Sequence, residues 1–458
     1  MNAIRHALSR VNVKEFLWSL VSRLASPVLS FSVLLMASRM LTIEEYGLYN
    51  FLFSVGSSLG LVLVLGQNVL LLKHYRNTGK PEDAPGNAAL LRMNAVWLAC
   101  GALFLAAATA LIYPFRQGLE LHYQALHVAF VFAAVFSISE YMQYYFRVKG
   151  NVGLALTPRE NIWRILTLLC FPFFTWTGFM DSGARAMEIT TVLLVLVVGY
   201  QVLRMLALEG RGFLRLKPAE DLSSDRRDWR HESLFFTANS FFVSASLYLE
   251  TILIGIFLSL EAAAFYFVAF RLAALLMLPV TIIDTVGVPM VSAKLQERNT
   301  AGAQYLISIL SAASFAGTLL AYVFMMLIGK FALGLFEPSF AEHFDVLVIL
   351  CLLPVLHAFF GPGTSLLMIG GGERYFLAMR SVAFAVYIGA LALAAPVYGM
   401  AGIAAIGTLH SVAVLYLCRN WSLKHMGVDN MASTIVTVLR NWRQGGVAGA
   451  APGRKDGQ

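Results

Sequence analysis

Apolar residues run along this chain in long blocks separated by short polar breaks, the pattern of a chain that repeatedly crosses hydrocarbon. Windows long enough to cross ~30 Å fall at about 16–38, 46–72, 88–113, 123–146, 157–179 and 184–206. A second set falls at about 233–258, 261–291, 304–328, 344–368, 374–395 and 399–421. The pattern predicts an all-α integral membrane protein of about twelve transmembrane helices. Some breaks are no more than a Gly/Pro turn, as at Pro396-Val-Tyr-Gly399. The first window is too long for a cleavable signal sequence, and no small-residue cleavage site follows it.

The two sets of windows echo each other. Leu41-Thr-Ile-Glu-Glu-Tyr-Gly-Leu-Tyr-Asn50 returns as Leu258-Ser-Leu-Glu-Ala-Ala-Ala-Phe-Tyr-Phe267, with Leu, Glu and Tyr identical at matching places. Later in each half, Gly150, Leu156 and Arg159 match Gly371, Leu377 and Arg380. Two echoes in the same order and at nearly the same offset predict a duplicated bundle. Six spans per half make the repeats parallel, around a central cavity with the substrate path between them. The expected organisation is a six-helix lobe over 1–206, an inter-lobe linker over 207–232, a second lobe over 233–425 and a tail over 426–458. The linker carries Arg211, Arg215, Lys217, Arg226, Arg227 and Arg230 and is expected to lie on the cytoplasmic leaflet as an interfacial helix. The Gly/Ala-rich end from Gly445 is expected to be disordered.

Composition agrees: 58% of residues are apolar and 13% charged, about half the charged share of a soluble domain. Of the 34 Lys and Arg, only Arg39, Arg116, Arg185 and Lys330 lie in odd-numbered connections. Arg23, Arg164 and Arg271 fall well inside spans, and the rest flank the other side. By the positive-inside rule both termini are cytoplasmic. The net charge of +8 is then a topology signal, and with no basic stripe on a soluble domain it implies no nucleic-acid partner. The four cysteines follow no metal or redox spacing, and no Gly-rich phosphate loop is present. No cofactor and no enzyme activity are expected; transport would run downhill or be coupled to a proton or sodium gradient.

Charges inside spans carry the candidate chemistry, since each costs about 2.5–3.5 kcal/mol to place at mid-span. Arg23 lies deep in the first span, one turn before Pro27, with no acidic residue at its depth. Arg271 and Glu250 lie at similar depth in spans eight and seven. Two readings of Glu250 stand, a structural ion pair with Arg271 and a group that titrates alone. Asp284 lies further along span eight, and Glu250 and Asp284 are the candidate coupling or cavity carboxylates. Glu140 in span four and Arg164 in span five form a second depth-matched pair, read as structural. His127, His357 and His410 are read as packed or hydrogen-bonded histidines. A shift of 217 sets Ser240 opposite Arg23, Ser54 opposite Arg271 and Val33 opposite Glu250, so the duplication alone does not require these charges. A guanidinium in low dielectric suits a phosphate, which it engages through two parallel hydrogen bonds. Tyr141, Gln143, Tyr144, Tyr145, Asn239, Ser240 and Tyr248 are candidate partners for sugar hydroxyls, although Tyr144 and Tyr145 read better as an interfacial belt.

The segment from Ser22-Arg23 through Ala37-Ser-Arg-Met-Leu-Thr-Ile-Glu-Glu-Tyr-Gly-Leu-Tyr49 resembles the opening of Wzx-type polysaccharide flippases. These belong to the multidrug/oligosaccharidyl-lipid/polysaccharide exporter superfamily. The stretch from Tyr266-Phe-Val-Ala-Phe-Arg271-Leu to Val288-Pro289-Met-Val-Ser-Ala-Lys294 is similar to span eight of the lipid II flippases in that superfamily. The resemblance implies two lobes around a cationic cavity that opens alternately to each side. It also implies carriage of an undecaprenyl-diphosphate-linked oligosaccharide across the bacterial inner membrane for O-antigen, exopolysaccharide or capsule synthesis. Arg23 and Arg271 fall where the superfamily places cavity arginines, so the diphosphate-binding role is carried to these two. The chain lacks the two additional spans of lipid II flippases and an arginine within the second span, which turns the expectation away from a peptidoglycan precursor. Expected partners are the polyprenyl-diphosphate-linked glycan, membrane lipids, and the polysaccharide polymerase and chain-length machinery. The alternative is a cation or drug antiporter of the same architecture, which needs an acidic cavity.

Overall fold

The computed structural model describes residues 13–77, 84–210 and 223–443, and every regular element among them is helical. The first half contains α1 (Val13–Met40), α2 (Ile43–Leu63), α3 (Gln67–His74), α4 (Ala84–Ile112), α5 (Leu126–Val148), α6 (Val152–Thr157), α7 (Trp163–Trp176) and α8 (Gly183–Glu209). The second contains α9 (Ser223–Phe257), α10 (Leu260–Leu275), α11 (Leu278–Gln296), α12 (Thr300–Phe336), α13 (Phe344–Phe360), α14 (Gly363–Ile369), α15 (Glu373–Met426) and α16 (Ile435–Arg443). Ten of the described helical stretches are long and apolar enough to cross a membrane. The other two of the twelve expected spans, the first and the fifth, fall on α1, which includes the shorter apolar Ala25–Met40, and on the 14-residue α7 with the turns before it. Residues 211–222 of the expected linker and the tail from 444 onward lie outside the described residues.

Several spans that read as unbroken in sequence are interrupted, each for an identifiable reason. Span two breaks where Leu65 and Gly66 both take positive φ, of 53° and 70°. The freed Leu65 carbonyl accepts from Gln67 Nε2 at 2.9 Å and from Ser233 Oγ at 2.6 Å, so the break leaves no orphaned acceptor. A Cβ on Gly66 would stand 2.7 Å from the Ser233 carbonyl, so α9 crosses at the break. Span eight breaks between α10 and α11 beside Pro279, which has no N–H to continue the ladder. Span ten ends at Gly361, with φ of 62°. Span five opens on a single π-helical turn, Pro158–Ile162. Spans eleven and twelve are joined through a bend at Gly399.

The duplication is visible in the backbone. Thr42 accepts from Glu45 N at the start of α2, and Ser259 accepts from Ala262 N at the start of α10. Both residues lie in the ten-residue echo and cap their helices in the same way. Gly150 and Gly371 have φ of 75° and 77°. The N–H groups that follow, of Asn151 and Gly372, reach back to the carbonyls of Phe146 and Leu367, each at 2.9 Å. This is one helix-ending turn used twice, with glycine where a Cβ would be strained. Positive-φ glycines also match at Gly178 with Gly399 and at Gly210 with Gly427.

By contact the chain divides into Met1–Phe265 and Tyr266–Gln458. In the first unit α2 is the central helix, packed on α5, α8 and α9. The echo segment makes that packing close. Glu45 Oε2 accepts from Gly183 N at 2.6 Å, at the start of α8. A Cβ on Gly47 would meet the Leu260 carbonyl at 2.0 Å. Ser58 and Ser244 bond across α2 and α9 at 2.7 Å, so span seven sits by contact with the first six. In the second unit α12 packs on α11 and α13, and α13 packs on α15.

Candidate functional site

The charges expected inside the first six spans gather where α1, α5 and the π-helical turn meet. Glu140, buried on α5, is ion-paired with Arg159. Arg159 also donates to Gln143 Oε1 at 3.2 Å and lies with its guanidinium 4.4 Å from the Phe136 ring centroid. Arg164 is ion-paired with Glu160 at 2.9 Å, and Ser26 Oγ donates to Glu160 Oε2 at 2.5 Å. Arg164 also donates to the Ser26 carbonyl, at 3.2 Å. The depth match had set Glu140 against Arg164. The structure instead gives Glu140 to Arg159 and Arg164 to Glu160. The reason is local: the π turn inserts an extra residue ahead of α7 and brings Arg159 and Glu160 into the bundle.

Arg23 sits in α1 one turn before Ser26, so its backbone lies beside this group, while its side chain falls outside the described residues. Arg271, on α10 in the second unit, is half-buried with its guanidinium 4.8 Å from the Phe267 ring centroid. Glu250, on α9, is half-buried in the first unit. Asp284, on α11, is half-buried and has no hydrogen bond or ion pair among the described residues. Asn239 and Ser240 are half-buried on α9 and Tyr248 is buried.

The span-four candidates divide by depth. Gln143 joins the Arg159 group, while the Tyr141 hydroxyl accepts from Asn94 at 3.1 Å. Tyr145, read as an interfacial tyrosine, is fully buried and donates to Glu209 at 2.5 Å. Glu209 is a hub at this end of the first unit, also bonded to Tyr75 at 3.1 Å and to Lys149 at 2.6 Å. Arg159 and Glu160 are the residues missed. The four-residue spacing of Glu160 and Arg164 was a readable signal; the Glu140–Arg159 contact was not, because it joins two helices.

Over residues 12–295, more than half its length, the chain matches the family described as "Polysaccharide biosynthesis protein", and it belongs to that family. The resemblance read from the sequence is borne out at this level. The fold is shared with multidrug resistance MATE family transporters. An inward-facing MATE family multidrug resistance transporter superposes with a TM-score of 0.65 at 15% identity, covering 92% of this chain and 99% of its own. A superfamily transporter from Pyrococcus furiosus, described by a reversed polarity of its binding pocket that suggests a different function, superposes at 0.59 with 14% identity over 89% and 94%. A Vibrio cholerae MATE transporter superposes at 0.55 with 16% identity over 90% and 97%. No curated protein matches the chain. The protein is a multi-pass, all-α membrane protein of about twelve helices.

Proposed function

We propose that the protein is a transporter, not an enzyme, and that it moves an undecaprenyl-diphosphate-linked oligosaccharide from the inner to the outer leaflet of a bacterial inner membrane by alternating access. One observation carries the reading beyond the family. In the first unit Glu140 pairs with Arg159 and Glu160 with Arg164, so with Arg23 one turn from Ser26 on α1 this region counts three arginines against two glutamates. A surplus guanidinium at membrane depth is costly and suits an anionic headgroup. Arg271 supplies the corresponding charge in the second unit, and Glu250 and Asp284 are the coupling or cavity carboxylates. Surplus positive charge repels a cationic cargo and so disfavours a drug antiporter, although the MATE-type fold houses such transporters. The distribution of basic residues supports cytoplasmic termini, and in this reading the polysaccharide polymerase and chain-length machinery receive the product.

The test is to delete the gene and quantify polyprenyl-diphosphate glycans retained on the cytoplasmic side by mass spectrometry. A complete repeat unit accumulates, wild type relieves it, and Arg23→Ala and Arg271→Ala do not, although both variants insert at wild-type level. Wild-type flux in Arg23→Ala would sink the proposal. No accumulation, with new sensitivity to cationic dyes, transfers the chain to the antiporter reading.

A further inference from the structure

After its last span the chain turns back onto the second unit. Beyond Met426 it bends at Gly427, with φ of 68°, and runs as a strap over 427–434 into α16. The strap bonds to the first three residues of a polar stripe on α12, where Gln304, Ser308, Ser311, Ser314 and Thr318 recur at three- and four-residue spacing on one helix face. Gln304 exchanges two hydrogen bonds with the Asp429 backbone, each at 2.8 Å. Ser311 donates to the Asn430 carbonyl at 2.9 Å, and the Ser308 and Thr434 hydroxyls lie 2.7 Å apart. Other helices hold the strap as well. Arg419 on α15 donates to both carboxylate oxygens of Asp429, at 2.8 and 2.6 Å. The buried Asn430 side chain donates to the carbonyl of Phe360, the last residue of α13. Val428 is fully buried in a cluster with Val291 of α11, Ala303 and Ile307 of α12 and Leu366 of α14.

This anchoring sets the level of α16. α12 is 37 residues long, about 55 Å against ~30 Å of hydrocarbon, so its first turns stand among headgroups. Ser308 lies two turns from the start of α12, and α16 begins one residue after Thr434, its partner. From there Ile435–Arg443 packs on α12. Ile435 and Val438 are half-buried, but Val436 and Leu439 are 56% and 51% exposed, and Arg440 is exposed too. Helical spacing puts Val436, Leu439 and Arg440 on one side, three and four residues apart.

An open apolar edge bordered by a cation is the pattern of a helix that lies in the plane of a membrane surface. The surrounding charge selects the lipid. At this end of the unit the exposed Arg298, Arg374, Lys424 and Arg440 outnumber the exposed Glu297 and Glu373, and a basic rim attracts anionic headgroups. The level of α16, between headgroups and acyl chains, favours lipid over a soluble protein as the occupant. We propose that α16 docks on anionic lipid, with Val436 and Leu439 at the acyl boundary and Arg440 on the headgroups, and that this seat holds the strap on α12. The site is independent of the transported cargo.

The test is hydrogen exchange over 435–443 in the full chain, in nanodiscs of phosphatidylglycerol or of phosphatidylcholine. A nine-residue helix is marginal alone in water, so protection of its amides reports seating. Exchange is slower in phosphatidylglycerol, and salt at about 1 M, where charges are screened beyond ~3 Å, narrows the difference. Arg440→Gln loses about fivefold of the slowing, the worth of one arginine near an anionic surface. Val436→Ser combined with Leu439→Ser exchanges rapidly in both lipids, and 427–434 accelerates with it, while the middle of α12 keeps wild-type exchange and shows the unit folded. Equal exchange in the two lipids overturns the proposal and leaves the edge to a neutral or protein occupant. Protection that survives in the double variant also overturns it, because packing on α12 alone then holds the helix. Wild-type exchange over 427–434 in that variant overturns the link to the strap.

Discussion

Arg159 and Arg380 stand at the same place in the two repeats, nine residues beyond a glycine with φ near 75°, yet their surroundings differ. Around Arg159 are Glu140, Gln143, Glu160 and Arg164; at the matching positions of the second repeat are Gly361, Thr364, Ser381 and Ala385. The first repeat thus buries alternating charges where the second has small and hydroxyl-bearing residues. In the third span of each repeat Gln304 and Ser311 match the polar Asn87 and Asn94, and the other stripe positions differ. The stripe residues Ser308, Ser314 and Thr318 correspond to Leu91, Trp97 and Gly101 at an offset of 217. Duplication kept what the backbone needs, the caps and the left-handed glycines. It released the buried polar chemistry to differ, with ion pairs on one side and neutral hydrogen-bonding groups on the other.

The comparison is broken most severely at the ion pair. Glu140→Gln leaves Arg159 buried without its counter-charge and costs about 3 kcal/mol, within the range for breaking a buried pair. Thermal unfolding in detergent should show that loss, and Glu140→Gln combined with Arg159→Gln should recover part of it. An undiminished loss in the double variant would mean that the pair is not a unit. A smaller effect tests the shared frame. Gly150→Ala and Gly371→Ala each place a Cβ in open space but at positive φ, so each costs about 1 kcal/mol from the backbone alone. Equal losses support one turn used twice, and a loss at only one site breaks the equivalence.

The smallest effect belongs to the segment that covers the α12 stripe. Burial pushes the Asp429 carboxyl up, but its hydrogen bonds from Arg419, at 2.8 and 2.6 Å, outweigh this and hold it below the ordinary carboxylate range. A carboxyl lowered by folding stabilises the segment above its unfolded pKa, and the contribution is lost as pH falls through the folded value. Hydrogen exchange over 427–434, corrected for intrinsic rates, should therefore accelerate in acid in wild type. Arg419→Gln should show the faster exchange at neutral pH and little further change in acid.

Much of the scaffold was legible because the bilayer imposes a coarse rule: a helix must stay apolar over enough residues to cross it. The twelve spans and the duplication followed from length, hydropathy and two short echoes. Even Thr42 and Ser259, which looked like a conservative pair, carried a local meaning, since capping depends only on residues within one turn. The breaks were less legible. Gly66 and Pro279 were visible, but whether the helix stops there depends on what satisfies the freed carbonyl, and Ser233 lies on another helix. The charges were legible as charges and misread as partners. Depth along two spans limits which residues are level, not which face each presents, and the π turn at Pro158 changed the faces.

Composition, periodicity and the positions of basic residues therefore determined by themselves that this is a duplicated, many-helix membrane protein with costly cations inside it. Those properties are sums along the chain or act within a turn. Tertiary structure alone decided that Glu140 belongs to Arg159, that Glu160 belongs to Arg164, and that Tyr145 is buried on Glu209. Pairing between helices depends on rotation and register, and a single residue of π-helical insertion or a break beside a proline resets both.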